Sequence, residues 1–426
     1  MRFLYSEFLY HRVDTVVKGQ RFWVMHTVSD AEPTRIDLWG RRWSWIPIIL
    51  GVYALSRVFT TVLMLALYIG ETLGHWPAAS PIGSGGFFAF SATWDSYYYR
   101  SIAHSGYPAT LPTDSAGHVE QNSWAFLPLY PLTVRGVMLV TGLSFPAAGV
   151  IIATLCGAIA ALVLYRLVAS RAGTTSGLWA TLFFCFGPLS FVLQIAYAES
   201  MFFALMFASL WAMMERRWWL VLVLATAAAF TRPGQLAIPL ALGVLLIIRF
   251  WRHRRHEESL PIREAVAMIV TGCVTACAGM AWSLIASIGT GTANAYIQTE
   301  ISWWTGFIGR VAFVPLSPWL LFTWKYAGFF GFLLVLAAVT GFVLLLSRPS
   351  VRALGIEIVV YSASYGLYLF AVFLPQQSLF RLLLPLSPLA GASGLTHSVR
   401  ARSIVLMVGM VLQPVALFLL WFLGYP

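Results

Sequence analysis

The sequence predicts an all-α polytopic membrane protein, and three observations lead there. Of 426 residues, 59% are hydrophobic and only 10% are charged, whereas a soluble domain carries about 25% charged residues. Mean hydropathy is +0.78. Apolar runs of about 20 residues, the length of helix that crosses a hydrocarbon core, recur along the chain. Inside lipid, helices and closed barrels are the structures that satisfy every backbone hydrogen bond, and runs of this length select helices.

Taken in order, residues 1–43 are mostly polar and read as a cytoplasmic N-terminal segment. They are too long for an ordinary signal-peptide n-region, so the first apolar span is expected to stay as an anchor. Spans are placed at 45–69, 146–166, 175–193, 199–214, 218–232, 235–249, 265–288, 327–346, 354–374, 379–397 and 403–423, about eleven transmembrane helices within 44–426. A large external loop, 70–145, follows the first span. Within it, 124–142 is apolar enough to be taken for another span. Pro128, Pro131 and Arg135 argue against a plain lipid-facing helix there, and a span at that point would invert every later one.

Charge supports this order. The formal net charge is +11, and the cations are unevenly placed. Arg2, Arg12, Lys18, Arg21, Arg35, Arg41 and Arg42 precede the first span, and the pairs and clusters at 166–171, 216–217, 249–255, 348–352 and 400–402 fall in turns on the same side. Arg100, Arg135, Arg232, Arg310, Lys325 and Arg381 fall on the far side. That is the positive-inside bias of an N-terminus in the cytoplasm. The charge therefore reports orientation, with some attraction to anionic lipid headgroups around 249–258, and no nucleic-acid partner is expected.

The four cysteines, Cys156, Cys185, Cys273 and Cys277, lie in apolar runs. They read as small buried residues rather than a zinc site or a disulfide framework, so no metal is expected. There is no P-loop, no G-x-G-x-x-G after a strand, no G-x-S-x-G and no H-E-x-x-H, so the common nucleotide and metal cradles are absent. No internal repeat of the inverted-transporter kind is evident.

The chemistry-bearing stretch is WDSYYYRSIAHSGYP, Trp94 to Pro108, just past the first span. Asp and Arg are among the costliest groups to hold at membrane depth, so Asp95 with Trp94, Tyr99, Arg100 and His104 makes a functional-site hypothesis. Three further external turns carry polar groups: 194–200 with Glu199, 231–234 with Arg232, and 375–381 with Arg381. Each has a plainer explanation. Asp95 suits a helix N-cap, Glu199 a structural ion pair, and Arg232 and Arg381 snorkelling to headgroups. His104 suits an interfacial belt. Trp303 and Trp304, with Glu300 in the external loop 290–317, suit stacking on a sugar or acceptor or, more plainly, interfacial anchoring.

The motif WD-x-x-x-Y-x-x-IA-x-x-GY, here Trp94, Asp95, Tyr99, Ile102, Ala103, Gly106 and Tyr107, resembles the GPI mannosyltransferase 2 (PIG-V-like) family of the GT-C glycosyltransferase superfamily. FLPLYP (126–131), AYAES (196–200), TRPG (231–234) and FRLLLPLSP (380–388) are similar to further family elements and occur in the family's order over roughly 45–390. Pro233-Gly234 departs from the small residue and Asn more usual there, and 1–43 has no counterpart in the resemblance.

The resemblance implies a bacterial plasma-membrane transferase with its site on the external face. It would move mannose, with inversion, from polyprenyl-phosphate mannose to a glycolipid or glycan hydroxyl. No cofactor is implied, since the lipid-linked donor is itself a substrate. Asp95 would be the base, with Trp94, Tyr99, Arg100, His104, Glu199, Arg232 and Arg381 as substrate-binding candidates. A phosphate leaves without being protonated first, so one carboxylate and cationic clamps suffice. A polyprenyl-linked lipid transporter or flippase, or a non-catalytic subunit of a mannosylation complex, remains open. A transporter is expected to carry polar or broken helices at mid-membrane, where only Arg57 is a candidate.

Overall fold

The computed structural model describes residues 16–17, 20–21, 35–38, 41–81 and 85–425. The chain divides into two compact units, 1–32 and 33–426. In the first, β1 (Val16–Val17) pairs antiparallel with β2 (Gln20–Arg21). The second opens on a hairpin of β3 (Arg35–Leu38) and β4 (Arg41–Ser44), with Ile36 opposite Trp43. Most of the segment expected in the cytoplasm, 1–43, lies outside the described residues.

From Trp45 onward the described chain is helical. The principal helices are α1 (Trp45–Thr72), α2 (Ser96–Ser105), α3 (Leu129–Thr141), α4 (Phe145–Phe186), α5 (Glu199–Met214) and α6 (Trp218–Ala229). They continue with α7 (Ala237–Arg254), α8 (Ile262–Thr290), α9 (Ala295–Ser302), α10 (Pro318–Ser347), α11 (Ile356–Val372) and α12 (Val399–Leu417). Among the described residues, six helical stretches are long and apolar enough to cross a membrane: those at 45–72, 145–186, 233–254, 262–290, 318–347 and 399–422. The chain is thus an all-α protein built for a membrane. The apolar helices α3, α5, α6 and α11 are shorter.

Several elements differ from the sequence expectation for identifiable reasons. The spans expected at 146–166 and 175–193 are two arms of the 42-residue α4, broken at Gly173, whose φ of 83° suits glycine. Gly328, at φ 52°, breaks α10 in the same way. The apolar run 379–397 is not one helix: a turn at Leu379–Leu382 leads into a 3₁₀ run, Leu384–Gly391, and then Ser393–Thr396. Pro385 and Pro388 remove N–H donors and crowd the preceding turn, which an α-helix tolerates poorly. Region 124–142 holds a 3₁₀ turn, Ser123–Ala125, followed by α3. At about 1.5 Å per residue α3 is about 20 Å long, short of a hydrocarbon core of about 30 Å.

Helix α5 is the central post. Its buried residues run all round it, from Glu199 to Met213, as expected of a helix enclosed by others. It packs between α4 and α6, α4 also packs on α1 and the 3₁₀ run 384–391, and α8 closes on α6 and α7. In contrast, α10 and α12 turn apolar side chains outward, among them Phe330, Leu334, Met407 and Val411, which suits lipid as the surrounding solvent. Cys273 and Cys277 correct the expectation of buried thiols. Both are exposed on α8, whereas Cys185 is buried and Cys156 half-buried. A thiol behaves as a small apolar group, so a lipid-facing position costs it little.

Arg57, the cation expected at depth, is 7% exposed and is consumed by the fold. Nη1 donates to the Ser190 carbonyl at 2.7 Å and Nη2 to that of Cys185 at 3.0 Å, satisfying carbonyls where α4 ends. Another polar cluster ties helix ends together elsewhere: Arg249 donates to Glu264 at 2.6 and 2.9 Å and to Glu258 at 2.9 Å, and Arg216 donates to Glu258 at 2.8 Å. Arg216 follows the C-terminus of α5 and Glu199 begins it, so the two lie at opposite ends of a rod about 24 Å long.

Candidate functional site

Four charged residues from four distant segments meet at the Glu199 end of α5. Arg381 Nη2 donates to Asp95 Oδ2 at 2.7 Å. Arg381 Nη1 lies 2.9 Å from Glu199 Oε1, and Arg232 Nη1 donates to that same oxygen at 2.7 Å. The order is therefore Asp95, Arg381, Glu199, Arg232, with two charges of each sign. Glu199 has no solvent exposure and Arg381 is 6% exposed, while the Asp95 and Arg232 side chains keep 15% and 17%. The buried centre thus opens at both ends.

Each member is aimed by local structure. Asp95 precedes α2 at the N-cap position, yet its side chain makes no capping bond; the carboxylate is turned to Arg381 instead. Trp94, at φ 55°, makes the sharp entry, and its Nε1 donates to the Trp421 carbonyl at 3.0 Å. The Asp95 N–H donates to the Tyr197 hydroxyl at 3.1 Å, and Ser96 Oγ donates to the Ala196 carbonyl at 2.8 Å. These bonds fasten the start of α2 to the turn before Glu199. Arg381 lies over the Tyr197 ring, 5.3 Å from its centroid, a favourable cation–π placement. Arg232 leads into the 3₁₀ turn Pro233–Leu236. Gly234 there is required by space: a Cβ would stand 2.9 Å from Tyr365 Cε2 and 3.2 Å from Phe202 Cζ.

The structure brings Asp95, Glu199, Arg232 and Arg381 together, with Tyr99 beside them. Tyr99 is 2% exposed, and its ring meets Phe126 and Tyr130 edge-on. Burial pushes its hydroxyl well above the usual tyrosine range, opposed by Arg232, so it stays a neutral donor. Trp94 supports the entry turn. Arg100 and His104 are not brought in and are exposed. On α2, positions 95, 99, 102 and 103 share the inner face, which turns 97, 100 and 104 outward.

Tyr197 is a contributor that sequence reasoning did not single out. It lies inside the AYAES element, two residues before Glu199, which drew the attention. Tyr107, the last residue of the WD motif, donates to the Phe126 carbonyl at 2.7 Å, so it fixes the loop. Arg381 Nε and Glu199 Oε2 are buried and have no hydrogen-bond partner among the described residues. Beside Arg232, an apolar groove of about 490 Å³ runs between α3 and α6, lined by Pro128, Leu132, Val223 and Phe230. Searches for related proteins return neither a matching family model nor a matching curated protein.

Proposed function

We propose that the chain is a glycosyltransferase of GT-C-like architecture, with about eleven spans and its N-terminus in the cytoplasm of a bacterial cell. It transfers mannose, with inversion, from polyprenyl-phosphate mannose to a glycolipid or glycan hydroxyl at the external face of the plasma membrane. The observation that carries this reading is the charge network: four of the five segments flagged for the resemblance deliver one carboxylate or arginine each to a single point. Replacing a buried ion network with well-packed apolar side chains is often neutral or stabilising, so its stability alone is a weak reason to keep one.

In this reading Arg232 and Arg381 hold the carrier phosphate through N–H donors that Glu199 and Asp95 leave over, and Arg suits phosphate by its planar fork. Glu199, shared by both, fixes their spacing. Asp95, which retains exposure at the edge of the network, accepts the proton of the acceptor hydroxyl. That oxygen bonds to the anomeric carbon while the carbon–oxygen bond to phosphate breaks, and the phosphate leaves with the electron pair. Tyr99 and Trp94 shape the pocket; Arg100 and His104, on the outer face of α2, are left no role in transfer. The apolar groove beside Phe230, two residues before Arg232, gives the prenyl chain a lateral path. Arg57, the candidate for a polar group at depth, is bonded to backbone carbonyls and is left no substrate role in this reading.

The test is to reconstitute purified protein in lipid with radiolabelled polyprenyl-phosphate mannose and a membrane glycolipid extract. Label is expected to move into a new lipid or glycan product. Carrier that crosses the bilayer with its mannose intact would support a flippase instead.

A further inference from the structure

Glu300 is a carboxyl beside the network to which the transfer scheme gives no part. It lies on α9, which is pinned to the turn Ser123–Ala125: Asn122 Nδ2 donates to Thr299 Oγ1 at 3.0 Å. Three residues further on, the Trp303 ring stands edge-on to Tyr98 at 5.4 Å between centroids and to Phe126 at 6.0 Å. Phe126 in turn stacks on Tyr98 at 4.7 Å. Tyr98 belongs to the first turn after Asp95. Glu300 precedes Trp303 by three positions and follows Tyr296 by four, so the three share one face of α9, and Trp303 shows that this face meets the Asp95 end of α2.

Two further observations place Glu300 at the site. The charges of Arg232 and Asp95 both act on it electrostatically, and Tyr296, one turn earlier on the same face, is its nearest titratable neighbour along α9. Asp95 and Glu199 are held by arginines; among the described residues Glu300 pairs with no arginine, which leaves its acceptor capacity largely free. Beside it, Trp303 Nε1 is a buried N–H with no partner among the described residues, and such donors are rare in a folded chain.

We propose that Glu300 and Trp303 bind hydroxyls of the transferred sugar itself, Glu300 as acceptor and Trp303 Nε1 as donor. This rests on the transfer reading above and deepens it. The sugar is bonded to a phosphate held by Arg232 and is attacked by a hydroxyl whose proton goes to Asp95, so a residue within reach of both Arg232 and Asp95 stands beside the sugar ring. Recognition is thereby divided: the arginines read the carrier phosphate, and α9 reads the hydroxyl pattern of the hexose. A site built to hydrogen-bond a hydroxyl discriminates strongly against a ligand lacking it, because its polar groups are otherwise left unpaired.

The experiment titrates full-length protein in lipid nanodiscs with two probes, polyprenyl phosphate and polyprenyl-phosphate mannose. Wild type is expected to prefer the mannosylated carrier. Glu300→Gln, nearly isosteric, and Trp303→Phe, which keeps an aromatic ring against Tyr98, are each expected to lower that preference by about tenfold, the loss expected for one hydrogen bond. Affinity for bare polyprenyl phosphate should stay unchanged, which also reports an intact fold. A wild type with no preference for the mannosylated carrier would overturn the transfer reading and this proposal with it. A wild-type preference that both variants retain would overturn the proposal alone, as would equal weakening of both probes in both variants.

Discussion

Arg381 Nη2 donates to Asp95 Oδ2 at 2.7 Å across 286 positions of sequence. The bond links the loop that follows α1 to the irregular segment that replaces an expected late helix. It also settles the capping question for Asp95, whose carboxylate could have folded back onto the N–H groups of α2 and does not. Because Arg381 also contacts Glu199, and Glu199 contacts Arg232, a change at any member is expected to reach the others.

The first prediction concerns the arginines. Arg232→Ala and Arg381→Ala each remove charge-assisted donors and should weaken polyprenyl-phosphate binding by about 10- to 100-fold. Arg232→Lys keeps the charge but loses the planar fork, and it should bind less tightly than wild type. Equilibrium binding in nanodiscs measures all three. Wild-type affinity in both alanine variants would exclude phosphate holding by this pair.

Glu199→Gln leaves Arg232 and Arg381 facing each other without their shared countercharge. Removing one partner from a buried ion pair typically costs about 3–5 kcal/mol, so thermal unfolding in detergent should show a clear drop in midpoint. The double variant Glu199→Gln/Arg232→Met should regain part of it. If the single variant melts like wild type, the network is not the tightly coupled unit described.

Glu300 gives the protein a specific pH dependence. Burial pushes its carboxyl up to about 7, opposed by the nearby Tyr296 hydroxyl and the charge of Arg232, with Asp95 adding to the rise; Tyr368 also interacts with it electrostatically. The folded state then holds a proton that the unfolded chain releases near the ordinary glutamate value of about 4.3. Between those values the native state binds more protons, so stability contributed here falls as pH rises to about 7 and is flat above it. The expected outcome is a difference in melting temperature between wild type and Glu300→Gln that changes from pH 5 to 7 and is constant from 7.5 to 8.5. Parallel melting curves across the whole range would remove Glu300 as the titrating group.

Sidedness is testable with reporter fusions. An ion pair joins Arg310 to Asp114, so the loops carrying them should report the same face. Position 257, beyond the far end of the 29-residue α8, should report the other. Fusions near 120 and 311 are expected outside and at 257 inside; position 257 outside, or 120 inside, would contradict the proposed orientation.

Much of this arrangement was legible in the chain, and the rest was hidden for physical reasons. Apolar runs located the long helices because lipid demands about 20 apolar residues whatever the partner helix. They overshot at 379–397, where hydropathy outweighed Pro385 and Pro388. Asp95, Glu199, Arg232 and Arg381 stood out singly, since a charge at the edge of an apolar run is conspicuous. Their pairing was not legible, because no local period relates position 95 to 381. Arg100 and His104 were readable in hindsight: the apolar Ile102 and Ala103 mark the inner face of α2 and put 100 and 104 opposite. Glu300 gave only a weak signal, an acid between Tyr296 and Trp303 at helical spacing.

The central claim is that the network performs sugar transfer with Asp95 as base, and one paired measurement on Asp95→Asn tests it most directly. Asn keeps the shape of Asp but cannot accept a proton, and general-base assistance is commonly worth about 10²–10⁴ in rate. Binding of polyprenyl-phosphate mannose and transfer of its radiolabelled mannose would be followed in the same reconstituted preparation. The account predicts near-wild-type donor binding with transfer reduced at least about a hundredfold. Transfer at the wild-type rate by Asp95→Asn would contradict it.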